Sequence, residues 1–149
     1  MSNQEWILIF QLDKQKYALP LALTDRIIPC IALDTDSVST NISLGSFIAF
    51  GRKIEVLPAR QMLGLPKRDS ELTDCLVLLA HSYAKYALLV DDVEGVVQYS
   101  PEQVVGRQQL IPQDVPVDVL NQDGEMIFIC DLHLLFGDSV KALSRVEAS

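Results

Sequence analysis

Catalysis asks for a nucleophile beside a base, and this chain supplies little of either. Its two histidines, His81 and His133, stand beside no Cys, Ser or carboxylate pattern that activates a nucleophile. There is no glycine-rich phosphate loop, no Gly-x-Ser-x-Gly elbow and no Cys-x-x-Cys pair. Cys30, Cys75 and Cys130 are separated by 45 and 55 positions, which matches no zinc-ligand spacing. Each lies in an apolar run that suits a buried, reduced thiol. Asp91-Asp92-Val93-Glu94-Gly95 gathers carboxylates that could hold Mg²⁺, yet an acidic stretch between two apolar strands reads as a solvated turn. The residues argue against an enzyme and call for no metal or cofactor.

Composition narrows the remaining classes. The chain has 149 residues, 49% hydrophobic and 21% charged, enough for one ordinary globular domain over 1–149. Its net charge of −8 makes nucleic acid an improbable partner, because phosphate binding needs a basic face. Apolar runs such as Cys75 to Ala80 are six residues long, against about twenty for a spanning helix, so no membrane insertion is expected. Met1 to Glu5 carries no basic stretch ahead of a hydrophobic one, and a cytoplasmic location is expected. Charge is uneven along the chain. Residues 1–70 hold 8 basic and 7 acidic groups, net +1, while residues 71–149 hold 4 and 13, net −9.

The elements that must position any site are strands. Trp6 to Phe10 is apolar throughout, passes into Gln11-Leu12 and the polar stretch Asp13-Lys14-Gln15-Lys16, and resumes at Tyr17-Ala18-Leu19, a hairpin pattern that Pro20 ends. Further strands are expected at Ser46–Phe50 and Lys53–Leu57 around a Gly51-Arg52 turn, then at Cys75–Ser82, Tyr86–Val90 and Val93–Tyr99. Val115–Leu120 and Met126–Cys130 flank the turn Asn121-Gln122-Asp123-Gly124. Ser100-Pro101-Glu102-Gln103 is a capping box that opens a helical turn or two. Pro58–Leu63 and Asp131–Phe136 read as short helices stopped by Gly64 and Gly137, with a weakly amphipathic tail beyond. Trp6 and the phenylalanines read as core.

The sequence also repeats itself. Gly51 to Gly64 can be laid without a gap on Gly124 to Gly137, with Gly51/Gly124, Ile54/Ile127 and Gly64/Gly137 identical. Upstream, Tyr17-Ala18-Leu19 echoes Tyr86-Ala87-Leu88 at nearly the same offset. A duplicated module of this kind predicts two small β-barrels of about seventy residues each, packed over a shared apolar seam and too small to be stable alone.

In this order the motifs resemble the CheW family of chemosensory coupling proteins. The resemblance runs from Ile7 to Phe136. It rests on Ile9-Phe10-Gln11-Leu12 with Tyr17 to Leu21, on Gly51-Arg52-Lys53-Ile54 with Met62 to Pro66, and on Ile127 to Leu132. Its most specific part is Ala87 to Val97, similar to the family's G-x-x-V-D-x-V-x-x-V strand pair. The resemblance implies a mainly β fold of two five-stranded β-barrels with short helices. The expected subdomains are 1–70 and 71–136, with strands open to exchange at the seam and 137–149 as a C-terminal tail. It also implies a non-catalytic adaptor that docks on the regulatory domain of a CheA-type histidine kinase and on the cytoplasmic tip of chemoreceptors. The family's Asn-Leu-Arg-Gly and Asp-Leu-Arg read here Ile48-Ala49-Phe50-Gly51 and Pro58-Ala59-Arg60, so Phe50 stands where the coupling arginine is usual.

Candidate partner contacts are Ile27 and Ile28, the turn residues Phe50, Gly51, Arg52 and Lys53, and Asp91, Asp92, Val93 and Val96. Arg60, Lys67 and Arg68 add basic charge near Phe50 in sequence, suited to an acidic partner. Asp91, Asp92 and Glu94 would suit a basic one. Two other readings share the sequence: a specialised coupling protein of a type IV pilus pathway, and a β-barrel module that senses a small molecule.

Overall fold

The apolar run Trp6 to Phe10 and its partner Tyr17 to Leu19 form a tight hairpin, because both faces of each strand find apolar cover. In the computed structural model, which describes residues 5–35, 42–66, 73–110, 115–133 and 135–136, the strands are β1 (Glu5–Leu12), β2 (Gln15–Pro20), β3 (Thr24–Pro29), β4 (Gly45–Ala49) and β5 (Arg52–Pro58). After helix α1 (Ala59–Met62) come β6 (Cys75–Leu79), β7 (Tyr86–Val90), β8 (Asp92–Tyr99), β9 (Val104–Leu110), β10 (Val115–Gln122) and β11 (Glu125–Ile129). Strands β3 and β9 are additions to the sequence expectation. Lys67, Arg68 and the expected tail from Asp138 lie outside the described residues.

Two hairpins turn more tightly than the sequence suggested, and the third turn lies one residue earlier than the expected Gly51-Arg52. Asp13–Lys14, Phe50–Gly51 and Asp123–Gly124 each place two successive residues at positive φ, the backbone of a two-residue type I′ turn. Gln15, Lys16 and Arg52 therefore belong to strands rather than to turns. The expected strand at Cys75–Ser82 stops at Leu79, and His81–Tyr83 forms a 3₁₀ turn. Pro101–Gln103 is also 3₁₀, with the Gln103 side chain accepting the Ser100 N–H at 2.9 Å as the capping box requires.

The strands assemble as a six-stranded sheet, β8-β1-β2-β11-β10-β9, and a five-stranded sheet, β3-β6-β7-β5-β4. Of the expected two five-stranded barrels, the mainly β fold in two sheets is present, but one sheet has six strands and neither ladder closes on itself among the described residues. The strand exchange left open for the expected subdomains 1–70 and 71–136 sets the make-up of each sheet. The six-stranded sheet joins 5–20 to 92–129, and the five-stranded sheet holds 24–58 and 75–90.

Side-chain alternation explains how the sheets pack. Ile7, Ile9, Ala18, Ile127 and Ile129 fill the inner face of the six-stranded sheet. Phe47, Ile54, Val56, Leu76, Leu78 and Ala87 do the same for the five-stranded one. The opposite faces of β1, β2, β6 and β7 meet in the largest cluster, which contains Leu8, Phe10, Leu12, Tyr17 and Leu19 against Val77, Leu79, Tyr86 and Leu88. Met62 and Leu63 from the α1 end, and Leu132, Leu135 and Phe136, close it. Phe136 packs edge-on to Tyr83 and Tyr86 with ring centroids 5.0 and 5.3 Å away. Central strands buried on both faces have no solvent side to mark with polar residues, which is why Ile7 to Phe10 shows no alternation.

The repeat is visible in three dimensions. Gly51 and Gly124 take the same left-handed conformation, at φ 75° and 85°, and Ile54 and Ile127 are both fully buried. Strand β5 runs parallel to β7, and β11 runs parallel to β2. Each sheet thus combines the opening hairpin of one repeat with the closing hairpin of the other. The seam anticipated from the sequence is present, and the exchange across it is reciprocal.

Two outcomes follow from this packing. A Cβ on Gly45, at φ +142°, would lie 2.7 Å from the Leu33 Cβ and 3.0 Å from the Asp34 carbonyl oxygen. Gly45→Ala should cost about 2 kcal/mol in urea unfolding, since strain and overpacking each contribute on the order of 1–3 kcal/mol; an unchanged midpoint would show that the Leu33–Asp34 segment simply moves away. Burial pushes the Cys130 thiol from 9.0 to about 12 and the Tyr17 phenol from 10.0 to about 12. The unfolded chain releases these protons first. The stability they contribute is therefore whole below about pH 9 and drains as pH climbs from about 9 to 12. Cys130→Ala should flatten the lower part of that alkaline loss, and an unaltered profile would assign it elsewhere.

Candidate docking site

The β4–β5 turn presents Phe50 to solvent. A type I′ turn favours Asn, Asp or Gly at its first position, because a side chain there pays for positive φ. The other two turns of this kind use Asp13 and Asp123, at φ 52° and 53°, whereas Phe50 sits at φ 54°. Holding a bulky residue there costs about 1–2 kcal/mol, and the ring is still 48% exposed. The guanidinium of Arg26, reaching from β3, lies 3.8 Å from the ring centroid. Asp25 stands 3.6 Å from Arg26 and 3.3 Å from Arg52, while Arg52 Nε donates to the Ala84 carbonyl at 2.9 Å. Phe50 and Arg52 thus gather with Arg26 and Asp25 at one end of the five-stranded sheet, with Gly51 supplying the turn and Lys53 the next strand position.

Strands β3 and β8 lie at corresponding edges of the two sheets. Ile27 pairs across from Val77, and Val96 pairs across from Leu8, so both project on the seam side of their sheets. They are 41% and 43% exposed. Ile28, one step on, turns to the inner face and packs against the five-stranded sheet's core, and Val93 packs against the seam. Trp6, read from sequence as core, is 52% exposed at the start of β1, opposite Gln98 of β8. Arg26 is the residue that sequence reasoning missed. Its signal was a lone cation in the otherwise apolar stretch before Ile31.

The acidic candidates are engaged by groups of the chain itself. Asp91 lies where the chain passes from β7 in one sheet to β8 in the other, and its N–H donates to the Gln11 carbonyl at 3.1 Å. Arg60, on α1, grips the Asp91 carboxylate with two bonds, Nε to Oδ1 at 2.9 Å and Nη2 to Oδ2 at 2.8 Å. The same Nη2 reaches Asp13 Oδ1, Nη1 donates to the Pro66 carbonyl at 3.0 Å, and the Asp13 N–H donates to Asp91 Oδ2 at 2.9 Å. Arg60 and Asp91 are therefore internal rather than aimed at a partner. Glu94 is engaged as well, with Lys16 Nζ at 3.3 Å and the Gln11 amide donating at 2.9 Å. Lys16 also pairs with Glu125, and the two carboxylates, Glu125 foremost, raise its pKa. Asp92 accepts the N–H of Val93 at 2.8 Å. The three cysteines gather no metal site: among the described residues no three His, Cys, Asp or Glu side chains are placed to hold an ion.

The side chains of Arg60 and Asp91 are 11% and 17% exposed, so removing one partner strands a largely desolvated charge. Arg60→Met should destabilise the protein by about 2–4 kcal/mol, and replacing Asp91 by Leu in the same chain should recover part of the loss. Urea unfolding of the single and double variants measures this. A single variant within about 0.5 kcal/mol of the parent would mean that water screens the cluster after all.

Comparison with known proteins agrees with this architecture. A family model described as CheW-like domain matches residues 7–140. The chain is similar in fold to the scaffolding protein TtCheW from Thermoanaerobacter tengcongensis, with a TM-score of 0.77 at 20% identity, over 91% of this chain and 93% of that one. No curated protein matches it. At that identity the likeness of structure speaks for the fold, and the sequence match, covering both exchanged hairpins and the seam between them, speaks for descent: the chain belongs to the CheW-like domain family.

Proposed function

We propose that this protein is a non-catalytic coupling scaffold of a bacterial chemosensory pathway, working in the cytoplasm between the regulatory domain of a CheA-type histidine kinase and the cytoplasmic tip of a chemoreceptor. Family membership supplies the class. One observation carries the docking geometry: Ile27 and Val96 stand at corresponding positions on the edge strands β3 and β8, each exposed beside the shared seam. An edge strand offers unpaired backbone groups, and an apolar side chain beside it gives an incoming element something to bury. Two such edges flanking one seam suit a scaffold that must hold two partners. Phe50, Arg52 and Lys53 extend the first edge at the turn, while Asp92, Val93 and Val96 form the second. Asp91 contributes by fixing where β8 begins. No helix of the described residues is long and apolar enough to cross a membrane. The inner faces of both sheets are filled by side chains, which leaves the small-molecule reading without support.

Calorimetric titration of the full chain with the purified regulatory domain of the kinase encoded by the same organism tests this reading, with a receptor-tip helical peptide as second titrant. Ile27→Glu and Val96→Glu should each weaken one of the two associations about tenfold or more, equivalent to roughly 1.4 kcal/mol. Absence of binding to either titrant by the unaltered protein would refute the scaffold reading.

A further inference from the structure

We infer that the Phe50 turn selects its partner by chemistry: the opposing surface carries an apolar socket for the ring, rimmed by carboxylates for Arg26. The inference rests on the scaffold reading and names what the kinase must present at this edge. Three features of the molecule support it. The turn would form more easily with Asp or Asn at position 50, as its two sister turns do, so the aromatic ring is not there for the backbone. The ring is half-exposed, with one face covered by the Arg26 guanidinium at 3.8 Å and the rest available. A guanidinium stacked on an aromatic face keeps its N–H groups at the rim, directed outward in the plane where a carboxylate can accept two of them. The local ion pairing agrees: Arg26 and Arg52 share the carboxylate of Asp25, two cations against one anion. Aromatic and arginine anchors of this kind dominate the binding energy of protein interfaces.

Two variants of the full chain, titrated against the kinase regulatory domain at low and moderate salt, separate this role from a structural one. Phe50→Asn should keep or raise the melting temperature, because asparagine suits the turn, yet weaken binding about tenfold or more. Arg26→Glu should weaken binding further at low salt than at moderate salt, the signature of a lost attraction to carboxylates. Both variants binding within about twofold of the parent would overturn the inference and leave the scaffold reading standing. A melting temperature that falls in Phe50→Asn would assign the ring to holding the fold and overturn it equally. If sedimentation shows that Phe50→Asn changes only self-association, the occupant is a second copy and the proposal fails. No binding by the unaltered chain removes the scaffold reading, and this inference with it.

Discussion

The bidentate contact between Arg60 and Asp91 fixes the point at which the chain leaves one sheet for the other. It joins three segments drawn from both sheets: α1 at the end of β5, the β7–β8 junction, and the β1–β2 turn through Asp13. A guanidinium fork suits this position because its N–H groups point in one plane and can hold two carboxylates and the Pro66 carbonyl together. The seam is apolar and non-directional, so it favours contact between the sheets without selecting how one lies on the other. The ionic cluster adds direction, which a hydrophobic interface cannot supply by itself.

The exchange of hairpins between repeats gives that direction its importance. Because β2 pairs with β11 and β5 with β7, neither repeat completes a sheet from its own strands. The sheets therefore depend on each other for hydrogen bonding as well as for burial. Edges β3 and β8, which are far apart in sequence, are thereby tied to one seam.

Residue choice and turn geometry pull apart at Phe50. The β4–β5 turn departs from the residue choice made at Asp13 and Asp123, and accepts backbone strain to expose an aromatic ring under Arg26. Such local conflicts between residue and backbone tend to mark surfaces kept for function. The surrounding fold absorbs the cost through buried neighbours such as Phe47 and Ile54, which belong to a filled core.

Much of the molecule was legible in the chain alone. Strands β5, β6, β7, β8, β10 and β11, the capping box at Ser100 and the Gly51/Gly124 repeat follow from short-range preferences: alternation, turn residues and positive φ at glycine. The class of protein was legible too, because motif order survives where individual residues drift. Strand β3 was hidden because Asp25 and Arg26 interrupt its apolar pattern, and β9 because Gly106 to Gln109 carries no strand signature. The fate of the charges was not written locally at all. Asp91 and Arg60 look like surface groups in sequence, and only the return of β7 beside α1 turns them inward as a pair. Likewise, the repeat announces two like units, but whether each closes on itself or lends its hairpin to the other depends on long-range strand pairing. That choice belongs to the tertiary structure, because hydrogen bonds between distant strands and the burial of both faces of β1, β2, β6 and β7 are properties no single segment possesses.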